Sequence, residues 1–386
     1  MNSKNLDIVA LVSQIEDPRS RDCPHNFFEI VVTTICAAVC GMVEWDEIYF
    51  FACENKEWLQ KKLKVEFLNG IPSKFTFARV ISLIEPNSFS KIFTSWVQAV
   101  YSPKENQVIA IDGKALRGSY SENKGSNLTH LVHAFACDTG ITLAQLEVPD
   151  KENEITAIPK LLEYLDIKKS IITMDAMGSQ KSIAKTIRDH KGDYIFAIKA
   201  NRKHLFQSLK ARFEEVKNDK TNLKFKQKIF KTQSEDQHGR VENRVCLAIP
   251  TSQLSADQEK EISEWQDVET AVEVSYTYTN KQTGEVKTEI RFFITSLKAD
   301  AQKIAQAIRE HWYIENKLHW VLDIVYKEDD SRMRMNFAPH NASAIKKIAL
   351  NILRSDTSFT KSLKLKQKKA LMNKGFLELL LGINNT

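Results

Sequence analysis

What this sequence lacks narrows it first. Its six cysteines, Cys23, Cys36, Cys40, Cys53, Cys137 and Cys246, form no CxxC pair and no disulfide-like framework, which fits reduced thiols in a cytoplasmic protein. The longest uncharged run, Ile30 to Val43, has 14 residues and is closed by Glu29 and Glu44. That is short for a membrane span, so no membrane partner is expected. No basic segment with a small-residue cleavage site precedes it, so no secretory signal is expected either. The chain shows no repeat of fixed period and no low-complexity tract. Neither charge sign dominates: 55 Lys and Arg stand against 49 Asp and Glu, a net charge of +6. This mild excess is compatible with a polyanionic partner without demanding one.

What is present is enough apolar material for more than one core, since 42% of 386 residues are hydrophobic. Residues 6 to about 100 read as helical. Phe27 to Gly41 is a buried helix, Glu44 to Phe51 another, and Ser73 caps a helix running to Ile84. On that last helix Lys74 and Arg79 would face solvent or enter a DNA groove. From Val108 the pattern turns extended. Val108 to Ile111 is an apolar strand ending at Asp112-Gly113-Lys114, and strands from Leu128 to Cys137 and Ile141 to Val148 flank an Asp138-Thr139-Gly140 turn. A helix from about Glu154 leads to the strand Ser170 to Met174, which ends at Asp175. Ser179 then caps a helix to His190, and Tyr194 to Lys199 is again a strand. After a basic helix, Arg202 to Lys217, alternation returns at Val272, Val274, Tyr276 and Tyr278 and again at Ile290, Phe292 and Ile294. Between them lies His238-Gly239-Arg240-Val241-Glu242-Asn243-Arg244, either a solvated hairpin edge or a phosphate contact through Arg240 and Arg244. A meander followed by alternating helix and strand describes a mixed sheet with helices on its faces.

One stretch organises the rest: a helix predicted from Ala301 to Asp330. Its residues Ile304, Ile308, His311, Glu315, Leu318, Leu322 and Val325 fall alternately four and three apart and make one inward stripe. A carboxylate at the centre of that stripe needs a partner, a proton or a cation. The pattern admits an ion pair with His311, His319 or an Arg. It also admits a zinc site built from His311, Glu315 and His319, although HExxH is absent. Each aspartate at a strand end could be only a turn-former. Two such ends in one sheet, beside an acidic helix, point instead to carboxylates drawn together around divalent cations such as Mg²⁺.

Several stretches together, AIDGKALRGS, KENEITAIPKLL, ITMDAMGSQ, DYIFAIKAN, HGRVENR and REHWYIENKLHWVLDIVYKEDDSR, resemble the H-repeat-associated, or IS-As-one, group of bacterial DDE transposases. The opening DPRSRDCPHNFFEIVVTTICAAVCGMVEWDEI and the later GIPSKFTFARV resemble that group's associated N-terminal domain. The resemblance runs from about Asp17 to Arg354. It implies an α/β, RNase H-like mixed sheet with a β-rich insertion, preceded by an all-helical N-terminal domain. The expected partition is 1–105 helical and DNA-binding, 106–215 first part of the core, 216–298 β insertion, 299–355 acidic helix, and 356–386 basic tail. The resemblance matches the three catalytic, metal-holding acids to Asp112, Asp175 and Glu315, with Mg²⁺, or Mn²⁺, as cofactor. His311 stands where the wider relatives carry Arg, and Leu322 where they carry Lys, which leaves Lys317 or Lys327 to hold the DNA backbone.

The activity so implied is hydrolysis and strand transfer at insertion-sequence ends. The partners are double-stranded DNA, both terminal inverted repeats and target, and a second copy of the chain, in the cytoplasm and on the nucleoid when bound. Lys114, Arg117, Lys199 and Arg202 are expected on phosphates. His311, His319 and Asn316 are expected to support Glu315, and Trp312 and Trp320 to pack. The competing expectations are a decayed DNA-binding protein that keeps the fold and a structure-selective nuclease with the same core.

Overall fold

The computed structural model describes residues 7–20, 23–101, 103–120, 128–149, 153–218, 227–235 and 240–383. The N-terminal stretch forms α1 (Ile8–Val12), α2 (Phe27–Val39), α3 (Trp45–Glu54), α4 (Lys56–Leu63), α5 (Lys74–Leu83) and α6 (Pro86–Val100). There follow β1 (Val108–Leu116), β2 (Thr129–Ala136), β3 (Ile141–Val148), α7 (Glu154–Glu163), β4 (Ile171–Met174), α8 (Lys181–Asp189), β5 (Asp193–Ile198) and α9 (Lys203–Asn218). Next come β6 (Lys228–Glu235), β7 (Arg240–Pro250), α10 (Ala256–Ile262), β8 (Thr270–Asn280) and β9 (Val286–Thr295). The chain closes with α11 (Ala301–His311), a π-helical turn at Ile314–His319, α12 (Trp320–Tyr326), α13 (Ala338–Ser355), α14 (Leu363–Met372) and α15 (Lys374–Leu381). Contacts group these into two units, one of residues 1–102, 113–157 and 314–386, the other of 103–112 and 158–313.

The first unit is built on two helices with almost no exposed face, α2 and α13. In α2 all but Phe28 are buried, because its thirteen residues FFEIVVTTICAAV carry a single charge. Asn26 caps it, accepting from the Phe28 amide at 2.8 Å. Its one carboxylate, Glu29, is buried but satisfied: it accepts from the Glu66 and Phe67 amides at 2.7 and 3.0 Å. Helix α13 packs on α2, α5, α6 and β3 and is buried nearly throughout. Its Asn341 donates to the carbonyls of Ile81 and Ile84. The β2–β3 hairpin turns at Gly140, whose φ of +74° suits glycine, and in this unit the strand order is β3-β2-β1.

The second unit carries the order β1-β4-β5-β9-β8-β7-β6. β1, β4 and β5 pair in parallel, which the intervening helices α7 and α8 make possible, and β9 joins β5 antiparallel with Ile195 opposite Thr295. The β-rich stretch expected as an insertion therefore extends the core sheet through β9. Both alternating runs of the sequence appear, in β8 and β9, paired from Thr270–Thr295 to Thr279–Val286.

Other expectations are corrected. The 301–330 helix is not continuous: it breaks after His311, passes through the π turn and ends at Lys327, in left-handed conformation with φ +49°. Strand β1 does not stop at Asp112 but runs on to Leu116. Gln180 rather than Ser179 precedes α8. The stretch after residue 356, expected as a basic tail, holds α14 and α15. The turn expected at His238-Gly239 lies outside the described residues.

Candidate catalytic site

The sheet register places two acids side by side. Ile111 pairs with Met174 on neighbouring parallel strands, so Asp112, partway along β1, and Asp175, just past the end of β4, each follow a paired residue. Adjacent strands lie about 4.8 Å apart, so the backbones of the two acids are neighbours, and ionised carboxylates drawn together repel unless a cation or donor intervenes. Asp175 is fixed by its own turn: its Oδ1 accepts from the amides of Met177 and Gly178 at 2.9 and 3.2 Å, and Ser179 Oγ donates to its carbonyl. Two residues before Asp175, Thr173 Oγ1 lies 3.0 Å from His311 Nδ1. His311 thus touches the strand that carries Asp175. After Asp112, a Cβ at Gly113 would fall 1.9 Å from Glu154 Oε1, so the Glu154 carboxylate packs directly over the glycine and would have to swing aside for any side chain there.

Glu315 does not sit in the core as its stripe predicts. The π turn adds a residue to the helical repeat, so Ile314 and Leu318 take the interior and Glu315, Asn316 and Lys317 are exposed. His319 is buried behind Glu315, its Nδ1 3.6 Å from Glu315 Oε2. Its Nε2 faces Nδ1 of His133 on β2 at 3.4 Å. Sequence reasoning missed His133; the signal was a histidine set within the apolar run of the strand THLVHAFA, whose last six residues are all buried. The tryptophans are exposed rather than packed, Trp312 at 47% and Trp320 at 58%, and the Arg291 guanidinium lies 5.0 Å from the Trp312 ring centre.

Lys114, expected on a phosphate, is turned inward. Its side chain is 8% exposed and its ammonium pairs with Asp323, with Glu328 at 3.3 Å and with Asp329 at 3.8 Å. Burial opposes that charge, but the three acids outweigh it and hold the Lys114 amine above its ordinary value. Glu328 is wholly buried. Burial would raise its carboxyl, yet Lys347, Lys114, Lys346 and the Ser343 hydroxyl, at 2.7 Å, bring it down to about 2. The acids of VLDIVYKEDD after Glu315 were the available signal for this network.

The remaining basic residues divide by exposure. Arg117, Lys199, Arg79 and Lys317 are on the surface, Arg117 within 3.7 Å of Asp329. Lys74 pairs with Asp46 at 2.6 Å. Arg202 is half-buried over the Trp265 ring, and Arg244 is held by Glu242 at 2.7 Å and by the Tyr276 ring. Arg240 begins β7, but its side chain lies outside the described residues.

Two families match this chain: DDE_Tnp_1-associated over residues 9–97 and Transposase DDE domain over residues 103–352. The second match spans most of the chain, which therefore belongs to the DDE transposase family and is an enzyme of the transposase class with a mixed α/β, RNase H-like fold. Among its relatives, "Putative transposase YncI" of Escherichia coli O157:H7 is 39% identical over 97% of this chain and 93% of its own length. "H repeat-associated putative transposase YhhI" of Escherichia coli K12 is 38% identical over 92% of this chain and 91% of its own. The H-repeat-associated resemblance read from the sequence is thereby met. Among the described residues, no helix is long and apolar enough to cross a membrane.

Proposed function

We propose that this transposase performs divalent-cation-dependent phosphodiester hydrolysis and strand transfer at insertion-sequence ends, with Asp112, Asp175 and Glu315 as its metal-holding acids. The observation that carries the reading is the β1–β4 register, which sets Asp112, partway along β1, beside Asp175, just past the end of β4. Their donor atoms are all carboxylate oxygens, which fits Mg²⁺, or Mn²⁺ in its place, better than a softer metal. Bound divalent cations would supply Lewis acidity to activate water or a 3′-hydroxyl and to steady the leaving oxygen. The chain's own part is to hold the acids still. The Met177 and Gly178 amides orient Asp175, and His319 braces Glu315. The exposed cations Arg117, Lys199, Lys317 and Arg79 suit contacts to the phosphates of inverted-repeat and target DNA.

The test is a labelled duplex carrying the element's terminal repeat, incubated with Mg²⁺ and a target plasmid. Asp112→Ala, Asp175→Ala and Glu315→Ala are each expected to lose cleavage and joining by several orders of magnitude while retaining DNA binding in gel shift. Alanine variants that cut as fast as the parent would overturn the assignment. A parent that cuts without joining would be a nuclease, and one that binds without either would be a DNA-binding protein.

A further inference from the structure

On the reading of Asp175 as a metal-holding acid, we infer that Asn201 directly, and Arg202 through Gln180, lock the two peptide units whose amides hold the Asp175 carboxylate, which makes all three positioning residues. A peptide unit is planar, so its N–H and its C=O point opposite ways and turn together. The Met177 amide donates to Asp175 Oδ1 at 2.9 Å and shares its plane with the carbonyl of Ala176, a buried residue. Asn201 Nδ2 donates to that carbonyl at 3.0 Å. The Gly178 amide donates to the same carboxylate oxygen at 3.2 Å and shares its plane with the Met177 carbonyl. Gln180 Nε2 donates to that one at 3.1 Å. Each plane is thus held at both ends, by the acid on one side and by a side-chain amide on the other.

The outer ends of these bonds are themselves tied down. Gln180 Oε1 accepts from the Arg202 guanidinium at 2.5 Å, and that guanidinium lies 5.5 Å from the Trp265 ring centre. Asn201 and Arg202 stand in the single 3₁₀ turn, Ala200–Arg202, that follows β5. β5 pairs in parallel with β4, the strand that leads to Asp175, so the turn is carried by the neighbouring strand of the same sheet. A donor on a carbonyl also polarises the amide of the same unit, which strengthens what that amide gives to Asp175. Both amides are spent on Oδ1, which leaves Oδ2 to meet a cation. Two ordinary roles compete with this one. A loop contact that only adds stability would leave the affinity for a cation where it was, and an arginine serving DNA would show in the salt dependence of DNA binding.

The probe that separates them is Mn²⁺, titrated into the full-length protein and followed by the paramagnetic resonance of the free ion, with no DNA and no turnover. Asn201→Leu and Gln180→Met keep the size of each side chain and remove its amide. Each is expected to weaken Mn²⁺ binding about ten- to a hundred-fold, the range for residues that orient a metal's ligands, and to speed hydrogen exchange at the Met177 and Gly178 amides. In cleavage of the terminal-repeat duplex the half-saturating Mn²⁺ should rise by the same factor while KM for DNA holds. Variants that melt lower yet bind Mn²⁺ as the parent does overturn the inference. Arg202→Met should weaken Mn²⁺ in the same way and leave the salt dependence of DNA binding unchanged. A slope reduced by about one phosphate contact, with Mn²⁺ affinity intact, assigns Arg202 to DNA and overturns its part. An Asp175→Ala variant that binds Mn²⁺ as tightly as the parent and still cuts would instead remove the reading beneath it.

Discussion

At the scale of single residues, the buried charges around Glu328 make a claim that pH can check. Its carboxyl falls from an ordinary 4.5 to about 2 on folding. A group whose acidity is strengthened in the folded state contributes stability that is complete above its unfolded value and is lost as pH falls toward the folded one. The window is therefore about pH 4.5 down to 2, and the contribution at neutral pH is on the order of 3 kcal/mol at ~1.4 kcal/mol per unit. Its partner works the other way. Lys347 is wholly buried, and desolvation, only partly offset by Glu328, lowers its amine from 10.5 to about 8. That is a cost at neutral pH, relieved as pH rises from 8 to 10.5, so the pair is worth less than Glu328 alone suggests. The parent should lose thermal stability more steeply between pH 4.5 and 2 than a Glu328→Gln variant. At pH 7 the variant should be less stable by about 3–5 kcal/mol in denaturant titration, since it leaves buried cations unpaired. Parallel pH profiles for the two proteins would contradict this account. The same network separates Lys114 from Arg117, two residues that the sequence treats alike. Arg117→Ala should lower the salt dependence of DNA binding by about one phosphate contact, whereas Lys114→Ala should lower the melting temperature and leave that slope unchanged.

At the scale of elements, the sequence was most legible where the environment has two simple sides. Strands β8 and β9 alternate in sequence and pair as expected, and the apolar runs before Asp112 and Asp175 read as buried strands, which they are, because they pair in parallel inside the sheet. It was least legible where one added residue changes the phase. The 301–330 stripe assumes an unbroken 3.6-residue repeat. The π turn at Ile314–His319 breaks it, so a glutamate expected in the core emerges exposed and the following histidine takes the inside. No composition rule marks that turn. Nor could local pattern reveal Asn351, which closes the open edge of β3. Its side chain accepts from the Thr142 amide at 3.0 Å and donates to the Thr142 carbonyl at 2.8 Å, much as another strand would. Asn351→Ala strands both backbone groups in a buried site and should cost about 2–4 kcal/mol. Hydrogen exchange should show the Thr142 amide losing protection before the rest of β3; unchanged exchange there would refute the edge-capping role.

At the scale of the whole chain, the question is what the last thirty residues are for. Read in isolation, Lys361, Lys364, Lys366, Lys368 and Lys369 are a charge run of the kind that is usually solvated and would suit a DNA backbone. The fold gives two of them structural tasks. Lys366 is buried and donates to the Leu353 carbonyl at 2.7 Å while pairing with Asp356 at 3.0 Å, so it closes the C-terminal end of α13. Lys369 lies 4.2 Å from both the Phe359 and Phe376 ring centres. Beyond them α15 buries Phe376, Leu377, Leu380 and Leu381, and its Glu378 accepts from Trp58 Nε1 at 2.9 Å and pairs with Lys62 at 3.1 Å. The C-terminal helices therefore belong to the first unit: α13 packs on α2 as well as on α14 and α15, and α15 meets α4 through Glu378. Each of those four apolar side chains contributes about 1.5–3 kcal/mol by burial before the entropy of ordering is subtracted. Removing residues 363–386 should thus destabilise the first unit, seen as a lower and broader thermal transition and as proteolysis within residues 27–63. A solvated DNA-binding tail predicts the reverse: an unchanged melting curve together with a shallower salt dependence of DNA binding. Lys366→Met gives the same contrast with a single substitution, since it removes the α13 cap and one cation while keeping the length of the side chain.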